Sequence, residues 1–265
     1  LSEEDSERDW STIIKQVCKE ATERFRAGEP VRELWTSDEV APPEWALEPI
    51  LYKELPTIIY GEKEVCKSTL ALAAYTCLTL PWEENPLGWK APAKTVTTLL
   101  LDYEVGYKVA QWNLKRLQEG MGLPPLPLYY RRGLLPLADD IEQIAQRMAE
   151  IKAEAIIIDS LAPAVGGDSY APEAANRFSL ALRQLNCAAL VIGQTSKQNY
   201  KKKSVLGSTL FEYFARHIFE LKKVQEEGEN SLDIALYNTY HNLGAHIPAQ
   251  GFRLSFNGVG VHIET

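Results

Sequence analysis

An ammonium and a hydroxyl stand side by side at Lys67-Ser68, and carboxylates follow or close two separate apolar runs: Glu104 just after Thr95 to Leu101, and Asp159 after Ala155 to Ile158. A lysine and a hydroxyl opening a helix have the chemistry of a phosphate-binding loop. Backbone N–H groups and the positive end of the helix dipole surround the anion; the lysine adds a point charge, and the hydroxyl ligates Mg²⁺. Gly61-Glu62-Lys63-Glu64-Val65-Cys66-Lys67-Ser68-Thr69 has this form, with the strand-like Thr57-Ile58-Ile59 before it and the helical run Leu70 to Ala74 after it. The pattern asks for glycine where Cys66 stands, and a side chain there adds a steric cost to a backbone that must bend tightly. Glu62 and Glu64 also bring negative charge towards the loop. The competing reading of this stretch alone is a plain strand–loop–helix connection with a fortuitous Lys-Ser.

The surrounding elements decide which reading fits. Thr95 to Leu101 is a nearly continuous β-branched and apolar run, as expected for a strand covered on both faces. It ends in Asp102-Tyr103-Glu104, at the carboxyl edge where ligands bind in open parallel sheets. Ala155 to Ser160 is a short hydrophobic strand that holds Asp159 at the same edge, the form of a second Mg²⁺- or water-binding element. Ala188 to Gly193 is a further core strand ending at Gln194, which either senses a phosphate or the attacking water, or simply caps the loop. Periodicity places helices at Trp10 to Phe25, Tyr107 to Glu119, Asp139 to Ile151 and Ala171 to Leu185. From His217 onward four β segments follow, at His217 to Lys222, Leu232 to Tyr240, Gly251 to Phe256 and Val259 to Ile263, with turn signals at Glu227-Gly228 and Asn257-Gly258.

The expected architecture is therefore α/β, a mainly parallel central sheet flanked by helices with antiparallel strands at its C-terminal end. Residues 1–43 are an N-terminal helical appendage and linker, and 44–265 the core. The 265 residues suffice for such a domain. No apolar run is long enough to span a bilayer, so no membrane association is expected. The polar, acidic start argues against a secretory signal and for a cytoplasmic protein, while the absence of an initial Met hints at a fragment. Cys18, Cys66, Cys77 and Cys187 lack metal-ligand spacing and read as reduced core thiols. A net charge of −8 repels nucleic acid in bulk. Contact with it must then be local; the basic cluster Lys201-Lys202-Lys203, leaving the same sheet edge as Gln194, is either the place for it or a solvated loop.

In their order and spacing these pieces resemble the RecA-like P-loop ATPases, and within them the RepA-type hexameric helicase branch, an AAA_25-like group. The likeness runs from Pro43-Glu44-Trp45 to Ile263-Glu264 and adds Gly207-Ser208 and Ala215-Arg216 to the motifs above. It implies ATP and Mg²⁺ as cofactors. Residues Gly61, Glu62, Lys63, Glu64, Val65, Cys66, Lys67, Ser68 and Thr69 would hold the phosphates, Ser68 and Asp159 the metal. Glu104 would be the general base, Lys67 would bind the phosphates, Gln194 or the segment Thr195 to Lys197 would couple the γ-phosphate state to the DNA-contacting loop, and Arg216 would be a finger reaching a neighbour's nucleotide. Lys197, Lys201, Lys202 and Lys203 would contact nucleic acid, expected to be single-stranded DNA, from a homo-oligomeric ring. The chain departs from the family pattern at Cys66 and at Tyr240, which stands where relatives often carry a basic residue. Two other readings accompany this one: a degenerate, non-hydrolysing regulatory or structural subunit, and a P-loop kinase acting on a small molecule.

Overall fold

The computed structural model describes residues 9–27, 31, 33, 41–195, 205, 207, 209–224 and 230–265, in two compact units, Leu1–Pro42 and Pro43–Thr265. The first includes helix α1 (Trp10–Ala27), whose start is fixed by Asp9: its carboxylate accepts the Thr12 N–H at 3.2 Å and the Thr12 hydroxyl. Trp10, Ile13, Ile14 and Val17 make an exposed apolar stripe along it.

The second unit is built on a nine-stranded sheet in the order β11-β10-β9-β8-β3-β7-β6-β4-β5. Its parallel part comprises β8 (His217–Lys223), β3 (Pro56–Gly61), β7 (Ala188–Gln194), β6 (Ala155–Asp159), β4 (Thr98–Asp102) and β5 (Tyr129–Arg132). Side chains alternate between two cores. Ile59, Leu100, Ile157 and Leu190 face one, while Ile58, Leu101, Ile158 and Val191 face the other. Both faces being covered explains why these strands read as unbroken apolar runs.

The first core is filled by α2 (Lys67–Thr79), α3 (Tyr107–Gly120) and the short hairpin β1 (Trp45–Leu47) and β2 (Leu51–Tyr52). The second is covered by α4 (Leu137–Ile151), α5 (Leu161–Val165), α6 (Pro172–Gln184) and α7 (Leu210–Phe214). Helix α2 is buried at every position from Leu70 to Leu78, as suits a helix enclosed on all sides.

Beyond β8, the antiparallel strands β9 (Ser231–His241), β10 (Gln250–Asn257) and β11 (Gly260–Glu264) bury one face only. Leu232, Ile234, Leu236, Phe252, Leu254, Val261 and Ile263 all join the first core, and Asp233 pairs with Arg253 at 2.8 Å on the other face. The extension curls until β11 meets the end of α3, so closely that a Cβ on Gly120 would fall 2.2 Å from the Val261 carbonyl oxygen.

Several boundaries move from expectation for local reasons. Strand β4 begins at Thr98 because Thr95 and Val96 instead bond the end of α2, at Thr79 O and Leu78 O. The β10–β11 hairpin turns on Gly258-Val259, one residue later than the Asn-Gly signal suggests: Asn257 pairs with Gly260 and accepts its N–H at 3.1 Å, and Gly258 takes the positive φ of 49°. Of the cysteines, Cys77 is buried, Cys66 and Cys187 are half-buried and Cys18 is exposed, so the core-thiol expectation holds fully for Cys77 alone. The Glu227-Gly228 turn lies outside the described residues.

At the amino edge of the parallel strands the β1–β2 hairpin is held by an aromatic cluster. Trp45 stacks on Tyr52 at 3.6 Å, the His217 and His241 rings lie 4.7 Å apart, and the Tyr52 hydroxyl meets His241 Nε2 at 2.9 Å. His217 is fully buried; Nδ1 donates to Ile50 O at 3.2 Å and Nε2 has no partner. Burial, with His241 alongside, pushes its pKa down to about 3. The unfolded chain, with a histidine near its ordinary value of about 6.5, binds more protons between those limits, so stability falls as pH drops through that window. We predict that His217→Phe flattens this dependence, since Ile50 O keeps its bond from Thr57. Urea unfolding should show the wild type losing about 1 kcal/mol per pH unit more than the variant between pH 6 and 4.

Candidate nucleotide site

The site begins where β3 stops. Gly61 is required there by packing, because a Cβ would fall 2.4 Å from the Leu221 carbonyl oxygen of β8. The chain then turns through Glu64 (φ 61°) and Cys66 (φ 58°, ψ 32°), both in the left-handed region, and enters α2 at Lys67. Cys66 thus adopts the conformation for which glycine is ordinarily used, at a cost of about 1–2 kcal/mol. No side chain caps α2, so its first N–H groups, which have no intrahelical acceptor, are left for another partner.

Lys67 Nζ donates to Gly61 O at 3.0 Å and to Glu62 O, so the ammonium lies over its own loop. Burial lowers its pKa, while the negative charges of Asp159 and Glu104 and the nearby Cys66 and Glu62 oppose that fall. The parallel register brings the tips of β3, β7, β6 and β4 to one edge: Gly61 lies beside Gln194, and Asp159 beside Asp102. Asp159 rises to about 6 because burial disfavours its charge; a hydrogen bond from Ser68 works against the rise, Glu104 and Asp102 add to it, and Lys67 opposes it. Glu104, on the loop after β4, accepts a hydrogen bond from the Ser160 hydroxyl.

Lys67, Ser68, Glu104, Asp159, Ser160 and Gln194 line one cleft of about 480 Å³. Of the residues expected to do chemistry, the fold therefore gathers Lys67, Ser68, Glu104, Asp159 and Gln194, together with Lys63 to Thr69 of the loop. The residues present fit a nucleotide and its metal. Ser68 and Asp159 are hydrogen-bonded neighbours at a point with an excess of buried negative charge. Mg²⁺ keeps several waters and asks the protein for only one or two ligands.

Arg216 and Tyr240 lie away from this cleft. Arg216 immediately precedes His217, which pairs with Thr57, whereas Gly61 pairs with Leu221. It thus lies roughly 16 Å along the strand from the loop, at the opposite sheet edge, in a second cavity of about 370 Å³ with Glu54, Arg183 and Phe214. Tyr240 is also at that edge, paired with Ile218. Lys197, Lys201, Lys202 and Lys203 lie outside the described residues; Thr195 and Val205, which flank them, form an antiparallel bridge. The residues that sequence reasoning left without a role are Ser160 and Asp102. The Asp102 carboxylate accepts the N–H groups of Glu104, Val105 and Gly106 at 2.9, 3.1 and 2.7 Å, and the Tyr130 hydroxyl at 2.9 Å. The signal for that turn is an Asp at the end of a strand with Gly106 four residues on.

No curated protein matches the chain. Among solved structures it is similar to a KaiC-like protein of the hyperthermophilic archaeon Pyrococcus horikoshii OT3. The identity is 14%, the TM-score 0.57, and the match covers 89% of this chain and 100% of that one, a likeness of fold. The model of the AAA_25 family, an AAA domain, matches residues 19–200, more than half of the chain. With that match, a strand order that sets the loop of Lys67 at the carboxyl edge of a parallel sheet, and a cleft lined by its side chains, the chain belongs to the AAA_25 family of AAA domains and has a RecA-like P-loop ATPase fold.

Proposed function

We propose that the chain is a Mg²⁺-dependent ATPase of the motor class that assembles as a ring and acts on single-stranded nucleic acid, in the manner of a replicative helicase. The observation that carries this reading is the convergence of Lys67, Ser68, Glu104 and Asp159 on one cleft. In this reading Lys67 leaves its loop carbonyls for the outer phosphates, and the free N–H groups of α2 take the anionic oxygens. Ser68 and Asp159 hold the metal, which when bound neutralises charge on the phosphates. Glu104 orients the attacking water and receives its proton, with Ser160 holding the carboxylate in place. Gln194, one residue from the bridge that brackets 196–204, links the cleft to the basic segment Lys197 to Lys203. Arg216, too far from its own cleft, serves the nucleotide of the next subunit.

The second reading, a non-hydrolysing subunit, is favoured by one observation, the side chain that Cys66 places in a left-handed turn beside the phosphate position. Calorimetry with ATP and Mg²⁺ separates the two: heat at micromolar nucleotide supports the ATPase, and none at millimolar nucleotide supports the alternative.

Lys67→Ala is expected to lower kcat/KM for ATP by about a hundredfold or more, and Glu104→Gln to slow turnover similarly while leaving ATP affinity within about twofold, read by steady-state kinetics and calorimetry. Unchanged turnover in Lys67→Ala excludes the site. Cys66→Gly should stabilise the fold by about 1 kcal/mol, a rise of roughly 2–4 °C in Tm, and tighten ATP binding; under the second reading it is the change that restores binding. Arg216→Ala should retain ATP binding and lose turnover, and mixing it with Lys67→Ala subunits should restore part of the activity. Additive, unrescued mixtures would remove Arg216 from the mechanism.

A further inference from the structure

We propose that Asp102 is the positioning residue for Glu104: its carboxylate, saturated by four donors, fixes the turn from which the base reaches the cleft. The proposal rests on the ATPase reading and deepens it. Asp102 is the last residue of β4 and only 2% exposed. Oδ1 accepts the N–H groups of Glu104 and Val105, and Oδ2 accepts the N–H of Gly106 and the Tyr130 hydroxyl from β5. Asp102 lies in register with Asp159 and would pass for a second metal ligand on position alone. With two donors already on each oxygen, it is committed to its own loop.

That commitment matters because Glu104 is exposed, and a carboxylate on an exposed turn would otherwise sample many positions. Misplacement of a base by about 1 Å costs up to about a hundredfold in rate. Here both ends of Glu104 are held. Its backbone is tied to the rigid end of β4 through Asp102, and its carboxylate is met by the Ser160 hydroxyl at the end of the neighbouring strand. Gly106, at φ 82°, closes the turn and passes the chain into α3, with Ala110 N–H donating back to Gly106 O at 3.1 Å. Asp102 does not line the cleft; it acts only through Glu104.

The test is ATP turnover and ATP affinity of Asp102→Asn and Asp102→Ala, each alone and combined with Glu104→Gln, with amide exchange at residues 104–106. Asn keeps Oδ1 as acceptor and replaces Oδ2 by a donor, so it should free Gly106 N–H to exchange, lower kcat about tenfold and leave KM within about twofold. Ala should free all three amides and lower kcat about fiftyfold. Neither should slow an enzyme already lacking the base. If Asp102→Asn turns over ATP at the wild-type rate, if KM rises with kcat unchanged, or if the loss persists undiminished in the Glu104→Gln background, the proposal is overturned. Should Asp102→Ala fail to fold, Asp102→Asn decides. A wild type that hydrolyses no ATP overturns the ATPase reading first, on the unmutated chain, and with it any base for Asp102 to position.

Discussion

The carboxyl edge of the sheet brings the carboxylates of Asp102, Glu104 and Asp159 close together, the last two in one cleft with the Lys67 ammonium. Charges of like sign brought this close cannot all keep their ordinary ionisation. The molecule resolves the conflict residue by residue. Burial works against the Asp102 charge, but the N–H groups of Glu104 and Val105, the Tyr130 hydroxyl and the Gly106 N–H hold its carboxyl below the usual range. Asp159, where burial outweighs the hydrogen bond from Ser68, is pushed up instead. Under the proposed function the two carboxylates divide accordingly: Asp102, with its lone pairs committed to its own loop, holds the turn, and Asp159 would meet the cation.

Such crowding needs a support that does not relax. It comes from strands buried on both faces, where Ile156, Ile157 and Ile158 below Asp159 and Leu99, Leu100 and Leu101 below Asp102 are all within 5% of full burial. A close-packed interior transmits rather than absorbs displacement. The parallel register therefore converts apolar packing into the placement of polar groups at the tips. Gly61 shows how tight the arrangement is, with the β8 backbone occupying the space a side chain would need.

Unbroken apolar strands ending in a carboxylate or glutamine were legible in the sequence because a two-faced core imposes no alternation and the tip residue breaks the run. That is why β4, β6 and β7 and the cleft residues Glu104, Asp159 and Gln194 are readable, while β3 and Lys67 are readable from the Lys-Ser that opens a helix after an apolar run. The helices α5 and α7, of five residues each, and the β1–β2 hairpin were not, since pieces so short carry no periodicity and form through tertiary packing. The role of Asp102 was hidden for a different reason: an acidic residue at a sheet edge looks the same in sequence whether it accepts backbone N–H groups or faces a metal, and only geometry separates the two.

The polarity of the sheet bears on assembly. Lys67, Glu104 and Asp159 stand at the carboxyl edge, while Arg216 and Arg183 stand at the amino edge around a separate cavity. Under the proposed function, the ring would use these two unlike ends head to tail, one edge of each subunit meeting the other edge of the next. Head-to-tail contact closes as a ring when the rotation per subunit allows it and otherwise continues as a filament. Under the proposed function that rotation, set where the amino edge with Arg216 meets a neighbour's cleft, is the quantity that nucleotide state must change to move a bound strand.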